Sequence, residues 1–127
     1  MDSQVSFFCG DSQDCLTLGS DKALQTAIYN IETHFITVGV LEYLDISFTV
    51  MECLLPDYFS SISDLHRRTD LHMHNVHVET EILTQEAGQK LKTMLKNEIK
   101  LYDYVKRRLF IQYETCKNIP KKKWSLI

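Results

Sequence analysis

The sequence predicts an α/β fold that is mostly helix, with one or two short strands. Three observations carry this expectation. Apolar residues recur at helical spacing over about residues 20–34, 42–55 and 84–116. Phe35-Ile36-Thr37-Val38-Gly39-Val40 is rich in β-branched and aromatic residues and too short to need a helix. Val76, Val78 and Thr80 alternate with His77 and Glu79, as in a short strand or an extended loop. At 127 residues, 44% of them hydrophobic, the chain is one domain or part of one, with a modest core.

The elements follow in order. Ser20 or Asp21 can cap a first helix, whose apolar positions Ala23 or Leu24, Ala27, Ile28 and Ile31 share a face up to about His34. Residues 35–40 then read as a buried strand. A second helix is expected from about Glu42 to Leu55, stopped by Pro56, with Leu44, Phe48, Met51 and Leu55 as its inner face. Tyr58, Phe59, Ile62 and Leu65 extend the apolar pattern into a short helical turn. From Thr84 onward, Ala87, Leu91, Met94, Glu98, Tyr102, Val105, Leu109 and Cys116 recur at steps of three, four or seven. This is one long helix or two with a bend. Residues 117–127, with Pro120 and Lys121-Lys122-Lys123, read as an exposed basic tail after a domain portion spanning 1–116.

The net charge of −3 conceals a split. Residues 1–88 hold 14 acidic against 3 basic side chains, and residues 89–127 hold 3 acidic against 11 basic. The basic third suits a polyanion such as a glycan or nucleic acid, or is simply a solvated helix face. No apolar run reaches the roughly 18 residues of a membrane span. The start Met1-Asp2-Ser3-Gln4 lacks the basic and apolar regions of a signal peptide, so these residues on their own read as soluble and untargeted. The four glycines are scattered at 10, 19, 39 and 88, and supply no phosphate loop; no serine or cysteine nucleophile motif is present.

Two groups invite a chemical reading. Cys9 and Cys15 flank a short loop containing Gly10, and by spacing alone a bridge and two free thiols stay open. Cys53 and Cys116 fall in helical patterns and read as small buried apolar side chains. His72, His74 and His77, with His66 upstream, resemble a metal cluster, but in an extended segment His72 and His74 share a face and His77 opposes them. Zinc needs four converging ligands, and no second pair is evident, so no metal site is expected.

Five blocks taken in order, "FFCGDSQDC" (7–15), "GSDKALQTAIYNI" (19–31), "FITVGVLEYLD" (35–45), "LLPDYF" (54–59) and "LYDYVKRRL" (101–109), resemble the C-terminal part of the glycosaminoglycan 2-O-sulfotransferases. That family comprises the heparan sulfate and uronyl enzymes and the insect relative Pipe. Residues 42–59 and the block from Tyr102 to Lys106 lean to the uronyl member, and "GSDKAL" to the heparan member.

The resemblance implies the C-terminal, helix-rich portion of a P-loop-like sulfotransferase fold, from an enzyme that moves a sulfuryl group from 3'-phosphoadenosine 5'-phosphosulfate (PAPS) to the 2-hydroxyl of a uronic acid. It implies a Cys9–Cys15 disulfide, suited to the Golgi lumen, in a type II membrane protein whose anchor lies upstream. The phosphate loop, the histidine base and the main 3'-phosphate ligands also precede the matching segment, so no catalytic residue is expected here and the piece is expected to be inactive alone. The family segment matching residues 66–80 closes over the nucleotide and borders the glycan, which makes His66, Arg67, His72 and His77 candidate donor contacts. Asn75 stands where the heparan enzyme has a glycan-contacting arginine, and His72, His74, His77 and Glu79 replace its lysines. Histidine carries little of the charge that arginine always holds at neutral pH, so this loop does not point to heparan as the acceptor. Lys106, Arg107 and Arg108 are expected to face outward. The implied partners are a sulfated glycan and, in a family that forms trimers, further copies of the chain, with no nucleic acid. The competing reading is a non-catalytic helical module, a pseudoenzyme remnant, that binds acidic glycan through residues 89–127.

Overall fold

A computed structural model of the chain describes residues 3–68 and 84–126. The alternating segment 76–80 and the side chains of His72, His74, Asn75 and His77 lie outside them. The described residues form helices α1 (Gln4–Cys9), α2 (Gln13–Leu16) and α3 (Asp21–His34), then a 3₁₀ turn (Leu41–Tyr43) leading into α4 (Leu44–Leu54). After these come α5 (Pro56–Phe59), α6 (Ile62–Arg68), α7 (Gln85–Met94), α8 (Lys96–Lys117) and a closing 3₁₀ segment (Lys121–Leu126). None of these helices is long and apolar enough to cross a membrane.

Helix α3 forms where its cap and period place it. The Ser20 hydroxyl accepts from the Ala23 N–H at 3.2 Å, and Ala23, Leu24, Ala27 and Ile31 are buried. They meet Val50 of α4 and Leu101, Val105 and Leu109 of α8, with Val5, Cys9 and Cys15 closing the N-terminal side. Each large aliphatic side chain fully buried here stabilises by about 1.5–3 kcal/mol. The register expected for the C-terminal helix holds at Val105, Leu109 and Cys116, all buried, but not at Leu91 and Tyr102, which are exposed, Leu101 being buried instead. The pattern is split into α7 and α8 at Leu95, which leaves helical geometry at φ −99°, ψ 15°. Glu98 interrupts the apolar register for a reason: its carboxylate accepts from the N–H groups of Gln4 (3.1 Å) and Val5 (3.2 Å), capping α1 from a distant helix.

The strand expected at residues 35–40 is absent: no strand occurs among the described residues. The segment is extended, but side chains rather than a neighbouring strand satisfy its backbone. The Phe35 carbonyl accepts from Arg108 Nη2 at 2.6 Å and the Ile36 carbonyl from Gln112 Nε2 at 2.8 Å. Ser47 Oγ accepts from the Val40 N–H at 2.9 Å. Phe35 and Ile36 are exposed and only Val40 is buried, so the segment is not the buried strand expected, and α8 and α4 satisfy its backbone without a ladder. Gly39 makes the close approach possible, since a Cβ there would stand 3.0 Å from Met51 Cε and 3.3 Å from Ser47 Cβ. Arg108 therefore turns inward rather than outward. Its side chain is 15% exposed, and it pairs with Glu32 at 3.4 Å while its guanidinium reaches the end of α3. Tyr104 also donates to that Glu32 carboxylate.

In α4 the inner face is offset from the expected one. Ser47, Val50 and Cys53 are fully covered, whereas Leu44, Phe48 and Met51 are only partly so. This helix is apolar on nearly every side, so spacing alone cannot choose its face.

All four cysteines are paired. The Cys9–Cys15 bridge closes its loop with Cα atoms 5.5 Å apart, and Gly10, at φ 116°, ends α1 in a conformation that suits glycine and begins the turn back. Cys53 and Cys116, expected as two lone buried thiols, form a second disulfide with Cα atoms 6.1 Å apart, which ties α4 to the end of α8. Trp124 packs on this bridge with Ile119 and Leu54, so the tail is not uniformly exposed. Its lysines face water, while its tryptophan is buried.

Candidate functional site

Helix α6 carries two of the sequence-predicted contacts, and its position is set from α4. Pro56 begins α5 where its missing N–H costs nothing. Ser61 then takes a left-handed conformation, φ 67°, uncommon for a residue with a Cβ, and turns the chain into α6. Glu52 of α4, 9% exposed, receives the Ser63 N–H on Oε1 at 2.6 Å and so fixes the first turn of α6.

From this base His66 and Arg67 diverge. The His66 ring meets Phe48 edge to face, with centroids 5.0 Å apart, and its Nε2 lies 3.8 Å from Asp45 Oδ1, a pairing that holds charge only when the imidazole is protonated. Arg67 turns the other way. Its Nη2 donates to Asp64 Oδ1 at 3.3 Å and its Nε to the Ser63 carbonyl at 3.3 Å. The two candidates thus do not converge on one site, and the other three, His72, Asn75 and His77, lie outside the described residues. Among the described residues no cluster of three or more His, Cys, Asp or Glu could hold a metal ion.

Arg67 does meet partners that local reading missed. With Glu52, Asp64, Lys121 and Trp124 it lines a cavity of about 280 Å3 between α6 and the C-terminal 3₁₀ segment. The Trp124 indole donates to the Ile119 carbonyl at 3.1 Å, and the Lys121 ammonium lies 5.7 Å from the ring centroid, a cation–π arrangement. The signals available beforehand were a lone tryptophan in a lysine-rich tail and an even cysteine count.

The basic face expected of residues 89–127 is weaker than its composition. Lys96, Lys100 and Arg107 are exposed and share a stripe of α8 by helical spacing, but Asp103 and Glu114 fall on the same stripe. Lys117 pairs with Glu114 at 2.9 Å, which raises its pKa, and Arg108 is spent inside.

No family model matches the chain. Over 116 residues it is 34% identical to the uronyl 2-sulfotransferase homolog pip of Drosophila melanogaster, covering 87% of the chain and 22% of that protein. Over 103 residues it is 32% identical to heparan sulfate 2-O-sulfotransferase 1 of Gallus gallus and 30% identical to that of Homo sapiens, covering 80% of the chain and 29% of each relative. The chain belongs to the family of the uronyl and heparan sulfate 2-O-sulfotransferases. It spans less than a third of the length of these 2-O-sulfotransferases. In this family member α6 and the C-terminal segment both pack on α4, the latter over the Cys53–Cys116 bridge, and the cavity is lined from both.

Proposed function

We propose that these residues are the C-terminal part of a PAPS-dependent sulfotransferase of P-loop-like fold. The enzyme transfers sulfate to the 2-hydroxyl of uronic acid in a glycosaminoglycan such as heparan or dermatan/chondroitin sulfate. The observation that carries this is the match to uronyl and heparan sulfate 2-O-sulfotransferases over 80–87% of the chain. Two further features support it. Both disulfides suit an oxidising lumen, in keeping with a type II Golgi protein. Phe7, Leu41 and Tyr58 are 72%, 82% and 83% exposed, apolar surface of the kind that the remainder of a catalytic domain covers.

In this reading the phosphate loop and the histidine base come from upstream sequence. His66, His72 and His77 border the donor, Asn75 borders the acceptor, and the 127 residues alone transfer nothing. The whole enzyme assembles with further copies of itself and is held at the membrane by an upstream anchor.

The test is to sequence the transcript upstream of Met1 and assay the encoded protein with radiolabelled PAPS and desulfated glycosaminoglycans. An open frame with a phosphate loop and label at the uronic acid 2-position are expected. Transfer by the 127 residues alone, or micromolar binding of 3'-phosphoadenosine 5'-phosphate by them, overturns the division of labour. A stop codon directly upstream moves a non-catalytic glycan-binding module ahead, a reading favoured by the self-contained core closed by two crosslinks.

A further inference from the structure

The fold joins two basic stretches that are far apart in the sequence. Helix α6 ends in Arg67-Arg68 and the tail carries Lys121-Lys122-Lys123, and one cation from each stretch, Arg67 and Lys121, lines the cavity of about 280 Å3. Its lining is chemically mixed: the cations of Arg67 and Lys121, the carboxylates of Glu52 and Asp64, and the indole of Trp124. We propose that this cavity is a subsite for one anionic sugar residue, sulfated or uronate-bearing, of a glycan chain. The choice of ligand rests on the glycan reading above.

The mixture selects the ligand class. A bare phosphate or sulfate would face two carboxylates together with its cations, and like charges at that range oppose binding. A sugar residue presents hydroxyl donors for the carboxylates and an acidic group for Lys121 and Arg67, while the buried indole closes one side of the cavity. The wall is fixed in advance, because Trp124 rests on the buried Cys53–Cys116 bridge and its N–H is bonded to Ile119. Glu52 is likewise held by the Ser63 N–H. Preorganised walls spare a ligand the cost of ordering them. The α8 stripe offers no such enclosure, since Asp103 and Glu114 interrupt its cations.

Trp124 is the only tryptophan, so its emission reports on the cavity directly. The chain is titrated with a heparin-derived hexasaccharide, with a non-sulfated uronate-bearing hexasaccharide and with inorganic sulfate. A saturable change in Trp124 emission is expected with at least one hexasaccharide. Lys121→Gln and Arg67→Gln should each weaken that binding about tenfold, as loss of one charge-assisted contact does. Lys96→Gln with Lys100→Gln should change it less than about twofold, as for exposed, screened charges. Circular dichroism confirms that each variant is folded. The subsite is overturned if inorganic sulfate reproduces the signal, if all the variants weaken binding equally, or if no hexasaccharide changes the emission. Sulfate transfer by the longer protein without any Trp124 response overturns the subsite and leaves the enzyme reading intact. A Trp124 response in a product whose frame lacks a phosphate loop supports the subsite and removes the enzyme reading.

Discussion

The Cys9–Cys15 bridge joins residues 6 apart in sequence, and the Cys53–Cys116 bridge joins residues 63 apart. Around the first, non-covalent ties already fix the chain. Asn30 Nδ2 donates to the carbonyls of Phe8 (2.9 Å) and Cys9 (3.1 Å), while Glu98 caps the other end of α1. Around the second, the described bonds of the tail are local: the Trp124 indole donates to the Ile119 carbonyl and the Lys123 N–H to that of Pro120, a few residues back. The same bond thus reinforces a loop in one region and fixes tertiary structure in the other. In the chain-entropy account the longer closure removes more freedom from the unfolded state, about 4 kcal/mol against about 2 kcal/mol for the shorter.

The largest expected effect tests that contrast directly. Cys53→Ala with Cys116→Ala should lower unfolding stability by about 4 kcal/mol. It should also shift Trp124 emission to the red as the indole loses its packing. Urea unfolding followed by circular dichroism and by fluorescence measures both. A loss no greater than that of the N-terminal pair would break the comparison.

Cys9→Ala with Cys15→Ala should cost about 2 kcal/mol and leave Trp124 emission in the native state unchanged. A red shift in this variant would show that the two regions are coupled through the core rather than held separately.

Asn30→Ala sharpens the claim that the first loop is held twice. Loss of its two hydrogen bonds to the end of α1 should cost about 1 kcal/mol in the parent chain. Combined with the Cys9 and Cys15 substitutions the cost should exceed the sum, because each tie then lacks its back-up. Simple additivity would mean that the side-chain bonds and the bridge act on different motions.

The two regions also differ in how far their residues could be read in advance. Cys9 and Cys15 are neighbours in sequence, and the capped, periodic α3 beneath them is written in Ser20, Ala23, Ala27 and Ile31. Cys53 and Cys116 each look like one more apolar residue on a helix, and only packing of α4 against α8 reveals the pair. Residues 35–40 have strand-like composition, yet Arg108 and Gln112 claim their carbonyls from a helix about 75 residues away, a competition that local propensity does not record. The candidate site divides likewise. Arg67 is legible locally, but its cavity partners Lys121 and Trp124 come from the tail, which packs on α4 and the second bridge. His66 shared that local argument and turns instead to Phe48 and Asp45.

The smallest effect concerns the surface of the N-terminal region. Lys22 Nζ lies 2.9 Å from Asp14 Oδ2 with both side chains largely exposed, and the hydrogen bond to Asp14 raises the lysine pKa above its ordinary value. A raised folded-state pKa means that any stabilisation belongs to the protonated form. It is fully present below the unfolded-state pKa, roughly pH 10, and is lost as pH rises through the higher folded value. Solvent screening keeps such a pair weak. Lys22→Gln should therefore leave the thermal midpoint indistinguishable from the parent, with the two curves superimposing from about pH 6 to 9, below that window. A clear loss at neutral pH would mean that the Lys22–Asp14 pair is a third tie on the α2 loop, and that the N-terminal bridge bears still less of the load than its short span implies.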